Sequence, residues 1–328
     1  MAELAITRQQ LRDYALRGWA YASFFVAAFV LSAYLTFPYD HLRDYIVARV
    51  EAAGKGNADS VRLEIGSLRP SFLTGAVLTD VELTRRTASG EGEPSRLHFD
   101  EVTARVSPWS VLTRSPRVSM VATVGEGELD ASYQQDSEAQ HIEAELDALD
   151  VGKLGLGSFV GVPLKGRATG TLDFTLATEA VKTVGTLDLK IAGLKIGDGK
   201  AKLSLPGLRS GMTLDEIDAG ALELTIKAQN GVAEISKLST DGKDLKINGD
   251  GNVRLANPVR RSRPDVVLEL QLSDAYKTKS DRNKALFEIL AMQPEWQKAT
   301  GPDGALSLHI AGTVQSLRAT AGGARRKR

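Results

Sequence analysis

Four histidines, His41, His98, His141 and His309, are the side chains of this chain best suited to proton transfer or metal ligation. They are scattered. No two fall in an HExxH or comparable ligand spacing. His98 and His309 occupy the polar positions of alternating stretches, where a histidine is normally solvated. The chain has no cysteine, so it offers neither a thiol nucleophile nor a disulfide. No GxSxG elbow is present. Gly193 to Lys200 (GLKIGDGK) has the glycines of a phosphate loop but the wrong spacing, and Ala201 stands where a hydroxyl is needed. Asp250 and Asn252 sit as two ligands of a calcium loop would, without the other positions. The reading is that there are no catalytic, cofactor-binding or metal residues: the chain is not an enzyme. A hydrolase assembled from polar groups on distant strands is the residual alternative.

The elements that would carry a binding function begin with Gly18 to Tyr39, 22 residues without a charge between Arg17 and Asp40. About 20 apolar residues in helix cross a bilayer core. Trp19, Tyr21, Tyr34 and Tyr39 lie near its ends, where aromatic rings favour the lipid–water boundary. Residues 18–39 are therefore read as a single transmembrane helix. Ser32 and Ala33 keep a cleaved signal peptide as the alternative, but the 17 preceding residues include Glu3 and Asp13, and the apolar run is long. Arg8, Arg12 and Arg17 bias residues 1–17 to the cytoplasm and the bulk to the other side, the periplasm of a Gram-negative cell.

Next, residues 40–56 read as a juxtamembrane helix, from Leu42, Ile46 and Val50 at four-residue spacing, closed by Gly54 and Gly56. The rhythm then becomes two. Val61, Leu63 and Ile65; Val77, Val81 and Leu83; Leu97 to Val106; and Val118 to Val124 mark four strands of a first β-rich region, 57–150, with a solvent loop over Arg86 to Ser95. A second β-rich region, 151–317, follows a glycine-rich link over Leu149 to Gly161. Within it GTLDFTL, GTLDLKI, GALELTI and GALSLHI, starting at Gly170, Gly185, Gly220 and Gly304, alternate alike. Turns are expected at Gly197 to Lys200, Gln229 to Gly231, Asp241 to Asp244 and Asn248 to Asn252. About ten antiparallel strands are expected over 166–256 and 304–317. A helix near 280–293 starts at the N-cap Ser280, with Leu286, Ile289 and Leu290 on one face, and is expected to plug one end of the sheet. Residues 318–328 read as a basic flexible tail.

The fold class is thus mainly β: an N-terminal transmembrane helix, then a long, curved antiparallel sheet with a few short helices. Formal net charge is zero, with 25% charged residues, which gives no ground for a nucleic-acid partner.

Several stretches carry a resemblance: FPYDHLRDYI (Phe37 to Ile46), GVPLKGRATGTLDF (Gly161 to Phe174), LKIGDGKAKLSLPG (Leu194 to Gly207), GMTLDEIDAGALEL (Gly211 to Leu224) and DGKDLKINGDGNVRL (Asp241 to Leu255). In these the chain resembles the type II secretion system protein N (GspN) family, in its longer form. Pro70 to Leu83 and Ser107 to Leu129 also resemble AsmA-like periplasmic domains. The resemblance implies an inner-membrane accessory component of the type II secretion system. Such a component would act in protein transport by protein binding or scaffolding, with the secretin or the inner-membrane platform as partner and membrane lipid around the N-terminal helix. It transfers no site residue. The alternative is a lipid-binding or lipid-transfer groove of the cell envelope, formed if alternate Val, Leu and Ile line a concave sheet left open.

Overall fold

The computed structural model describes residues 18–26, 28–29, 31–32, 36, 38–54, 60–71, 74–86, 94–113, 115–157, 162–200, 202–203, 212–213, 215–314 and 316–321. The expected cytoplasmic segment 1–17 and most of the loop over Arg86 to Ser95 lie outside them. So does part of the 18–39 stretch, whose described residues are helical up to Thr36 and exposed. Among the described residues no helix is long and apolar enough to cross a membrane. The chain divides into two compact units, Met1–Ile46 and Val47–Arg328. The helix read over 40–56 is α1, Tyr39–Gly54.

One antiparallel sheet of 14 strands organises the second unit, and its order follows the chain. The strands are β1 Ser60–Ser71, β2 Gly75–Arg86, β3 Ser95–Val106, β4 Arg117–Val124, β5 Gly127–Gln135, β6 Ala139–Asp150, β7 Leu164–Ala177 and β8 Val184–Ile196. The short β9 Lys202–Leu203 and β10 Met212–Thr213 pair only with each other. Then come β11 Ile217–Gln229, β12 Val232–Thr240, β13 Leu245–Arg254, β14 Arg263–Leu272, β15 Leu306–Thr313 and β16 Ser316–Ala321. Among the described residues the end strands β1 and β16 do not pair with one another, so the sheet is open. The β-rich stretches 57–150 and 151–317 join in it, because β6 pairs directly with β7.

Alternation puts the apolar residues on one face. A single cross-strand row contains Leu68, Leu78, Val102, Ala122, Leu129, Leu146 and Gly170. It continues through Leu189, Leu224 and Leu238 and, where Leu238 packs against Gly249 past a register shift, through Gly249, Leu268, Leu308 and Ala321. Every one of the 14 strands contributes to it. The opposite face is charged. There Glu223 bridges Lys190, at 3.4 Å, and Lys237, and Thr225 donates to Asp188 at 2.7 Å.

The structure corrects several readings. In β2 the inward residues are Leu78 and Val81, not Val77 and Val81. Asp80 takes a left-handed φ of 50° opposite Gly66, and the alternation changes phase there. β5 and β6 were not expected; their face residues Ala131 and Ala144 are too small to give a strong alternating signal. Asn248 to Asn252 is no turn but the middle of β13. Gly249 there meets Leu238 and Leu268: a Cβ would lie 2.6 and 2.7 Å from their methyl groups. The second half supplies β7, β8 and β11–β16 to the sheet rather than ten strands. The tail read from 318 begins inside β16.

Hairpin chemistry placed other turns as expected. Asn230 and Gly231 link β11 to β12 with φ of 53° and 75°, the left-handed pair that Asn-Gly adopts readily. Gly185, the second residue of β8, is a glycine where a Cβ would strike the Phe174 ring at 2.6 Å.

Short helices decorate the two ends. At the end where β1–β2, β3–β4, β5–β6, β7–β8, β11–β12, β13–β14 and β15–β16 turn, the hairpin end, α2 Pro108–Leu112 links β3 to β4. The opposite, capped end carries α3 Val151–Leu154, α4 Asp274–Lys277, α5 Asp281–Ala291 and α6 Pro294–Ala299.

Candidate binding face

The capped end holds the larger core. Asp150 caps α3 by accepting from the N–H groups of Gly152 and Lys153 at 2.9 and 3.0 Å, which turns the chain back across the sheet and buries Val151 completely. Val151, Val124, Leu149, Ile191, Leu194 and Ile217 pack with Tyr276 of α4 and Phe287 of α5.

Side chains fasten the α4–α5 segment there. Tyr276 Oη donates to the Asp215 carbonyl at 2.7 Å, and Ser280 Oγ donates to the Asp215 carboxylate at 2.6 Å. Ser280 also caps α5 by accepting from Asn283 N–H, as expected. Burial pushes the Tyr276 phenol up to about 12. Glu216 accepts from Lys165 at 2.6 Å and Lys195 at 2.9 Å; these two ammonium groups hold its carboxyl below the usual glutamate range.

The α5 stripe differs from its expected form. Leu286 and Leu290 are buried at 1% and 2% exposure, with Asn283 beside them, but Ile289 is 48% exposed. In a straight helix, i, i+3, i+4 and i+7 share a face, and the buried set 283, 286, 290 fits that stripe; residue 289 is rotated out. The helix closes one end of the apolar face and leaves the other uncovered among the described residues.

Toward the hairpin end the face stays half-buried. Ile142, Leu172, Phe174, Leu176 and Leu187 line a groove of about 430 Å³, completed by Leu255 and Val259 from the β13–β14 connection. Its rim is polar, with Asp136, Glu138, Thr178 and Asn257. On the opposite face of β6, His141 holds a rim residue, with Nε2 3.3 Å from Asp136 and Nδ1 3.1 Å from Thr175. The N–H groups of Glu138 and Ala139 hold the Asp136 carboxyl below its usual range, with His141 adding to the effect. A leucine gains about 1.5–3 kcal/mol from full burial. A row of half-buried leucines forgoes part of that, which an apolar occupant would restore.

The other histidines stand apart. His98 pairs with Asp100 at 3.4 Å and His309 with Asp265 at 2.7 Å, both on the polar face, and His41 is in α1. Among the described residues no three His, Asp or Glu side chains converge as metal ligands would. Gly193 to Lys200 spans the end of β8 and is followed by β9 among the described residues. Asp250 and Asn252 lie within β13, opposite Val267 and Asp265. The groove is the concave feature among the described residues in which apolar side chains converge with a polar rim. The sequence raised an apolar groove as the alternative reading but did not place it, because its walls come from four separated segments; the only local signal was the alternation itself.

The chain matches no family model, no curated protein and no solved structure.

Proposed function

We propose that this chain is an inner-membrane-anchored accessory component of the type II secretion system, acting in the periplasm by binding other components rather than by chemistry. The observation that carries the reading is the pair of unpartnered edges. Strands β1 and β16 each have one side without a paired strand among the described residues. Such an edge presents N–H and C=O groups to a strand from another protein. The uncharged 18–39 stretch is the proposed anchor. Its described residues expose Trp19, Phe24, Phe25 and Phe29, a surface suited to lipid rather than water. Anchoring would concentrate the edges near the secretin or the inner-membrane platform. Photocrosslinkers at Arg62 in β1 and Arg318 in β16, in living cells, test this. Adducts with secretion components are expected from both positions. Adducts with none, together with normal secretion in a deletion strain, would remove it.

The groove favours a second reading, an envelope protein that binds or transfers lipid. Its apolar walls and volume of about 430 Å³ suit an acyl chain. Native mass spectrometry of the gently purified full chain is expected to show bound phospholipid; a bare protein mass counts against it.

A further inference from the structure

The exposed apolar side chains of the sheet unit are not scattered. Among the described residues of Val47–Arg328, every large apolar side chain standing in solvent, apart from Ile289 and Met292 on and after α5, lies at the hairpin end. Trp109 on α2 is 75% exposed. Val181 projects from the short turn Ala180–Lys182, Val259 from Val259–Arg261, and Val314 from the β15–β16 turn. Val106, Val184, Val232 and Leu317 stand exposed at the adjoining strand ends.

Turn tips normally favour Gly, Asn, Asp, Ser and Pro. Valines on three of the seven tips answer no requirement of the turns themselves. The same end is basic. Arg105, Lys182, Arg261, Arg263 and Arg318 are exposed there. The acids there are fewer than the basic groups: Glu179 pairs with Lys182 at 3.1 Å, Asp265 with His309 and Asp136 with His141, and Glu138 stands exposed in the β5–β6 turn.

We propose that the hairpin end is a docking surface for an anionic lipid bilayer. The indole and valine side chains enter the boundary between headgroups and acyl chains, and the arginines meet the phosphates. The charge selects this occupant: an apolar rim set among guanidinium groups complements an anionic membrane surface. The groove opens at the same end, through Val259, so docking sets its mouth against lipid. The proposal stands on the rim alone and holds whether or not the groove carries lipid.

The test uses the full chain with Trp19 and Trp296 replaced by Phe, leaving Trp109 as the single indole. The protein is held in nanodiscs of unlabelled neutral phospholipid, or used free if it needs none. It is then mixed with separate vesicles of brominated phosphatidylcholine, with or without phosphatidylglycerol. Trp109 emission is expected to shift to the blue and to be quenched by the anionic vesicles, much less by the neutral ones. The pair Val181→Asp and Val259→Asp is expected to weaken binding about ten-fold per site, while Met292→Asp leaves it unchanged. Co-flotation of the unsubstituted chain gives the same reading without the tryptophan replacements. Absence of both quenching and co-flotation at low salt overturns the proposal. So does an equal loss from Met292→Asp, or crosslinking of position 109 to a protein without any quenching.

Discussion

Tyr276 Oη donates to the carbonyl oxygen of Asp215 at 2.7 Å, across 61 residues of sequence. The ring is fully buried and meets Phe287 edge-on, at 6.3 Å between centroids. This bond ties the helical segment after β14 to the start of β11, and with it the capped end of the apolar face. Tyr276→Phe keeps the ring but leaves the carbonyl without its donor, and is expected to lose about 1–3 kcal/mol. Tyr276→Ala also opens a cavity and is expected to lose about 3–5 kcal/mol. Urea unfolding of both variants measures this.

The same phenol makes stability depend on alkaline pH. Its folded value, about 12, lies above the ordinary 10.0, so the folded state holds the proton more tightly. The contribution is complete below pH 10 and is lost as pH rises toward 12. Unfolding midpoints across that range should fall for the wild-type chain, and the part of the slope due to Tyr276 should vanish in Tyr276→Phe.

Two neighbours on α5 should separate cleanly. Leu286 is 1% exposed and Ile289 48% exposed. Leu286→Ala is expected to cost about 2–5 kcal/mol, and Ile289→Ala no more than about 1 kcal/mol. Similar costs for the two would mean that α5 does not pack as described.

Glu216 offers a test in acid. Its carboxyl is held low by Lys165 and Lys195, so the stabilisation is present above the ordinary value of 4.5 and is lost as pH falls through the lower folded value. The cluster is partly open to solvent, which limits Glu216→Gln to about 1 kcal/mol at neutral pH. Salt should reduce the difference between the two proteins, as followed by chemical denaturation at low and high ionic strength.

The groove should reveal itself through Leu187. Its side chain lies mid-face with Leu172 beside it across β7 and Ile226 across β11. Leu187→Glu places a charge on the groove wall and is expected to weaken binding of a fluorescent fatty acid at least about ten-fold. The reading fails if affinity is unchanged while circular dichroism remains native.

Much of the fold was legible because the evidence for a strand is local. A strand with one buried face writes its period into consecutive residues, and Asn230–Gly231 needs only its own left-handed preference to mark a hairpin. The start of α5 was legible for the same reason, since Ser280 and Asn283 lie within one turn. Where neighbours decide, local reading failed. Asn248 to Asn252 looked like a turn because its two glycines are flexible; it is strand because Leu238 and Leu268 occupy the space a side chain at Gly249 would need. Val77 looked inward until the phase change at Asp80 put Leu78 there instead.

By itself the sequence determined that the chain forms an apolar-faced antiparallel sheet, preceded by an uncharged stretch of 22 residues. Only the tertiary structure decided that all 14 strands share one open sheet in chain order, with α5 covering one end and the groove lying at the other. The physical reason is range. Periodicity and turn preference act over a few residues, whereas Leu172, Leu187 and Leu255 become one wall only after pairing and a return of the chain bring them together.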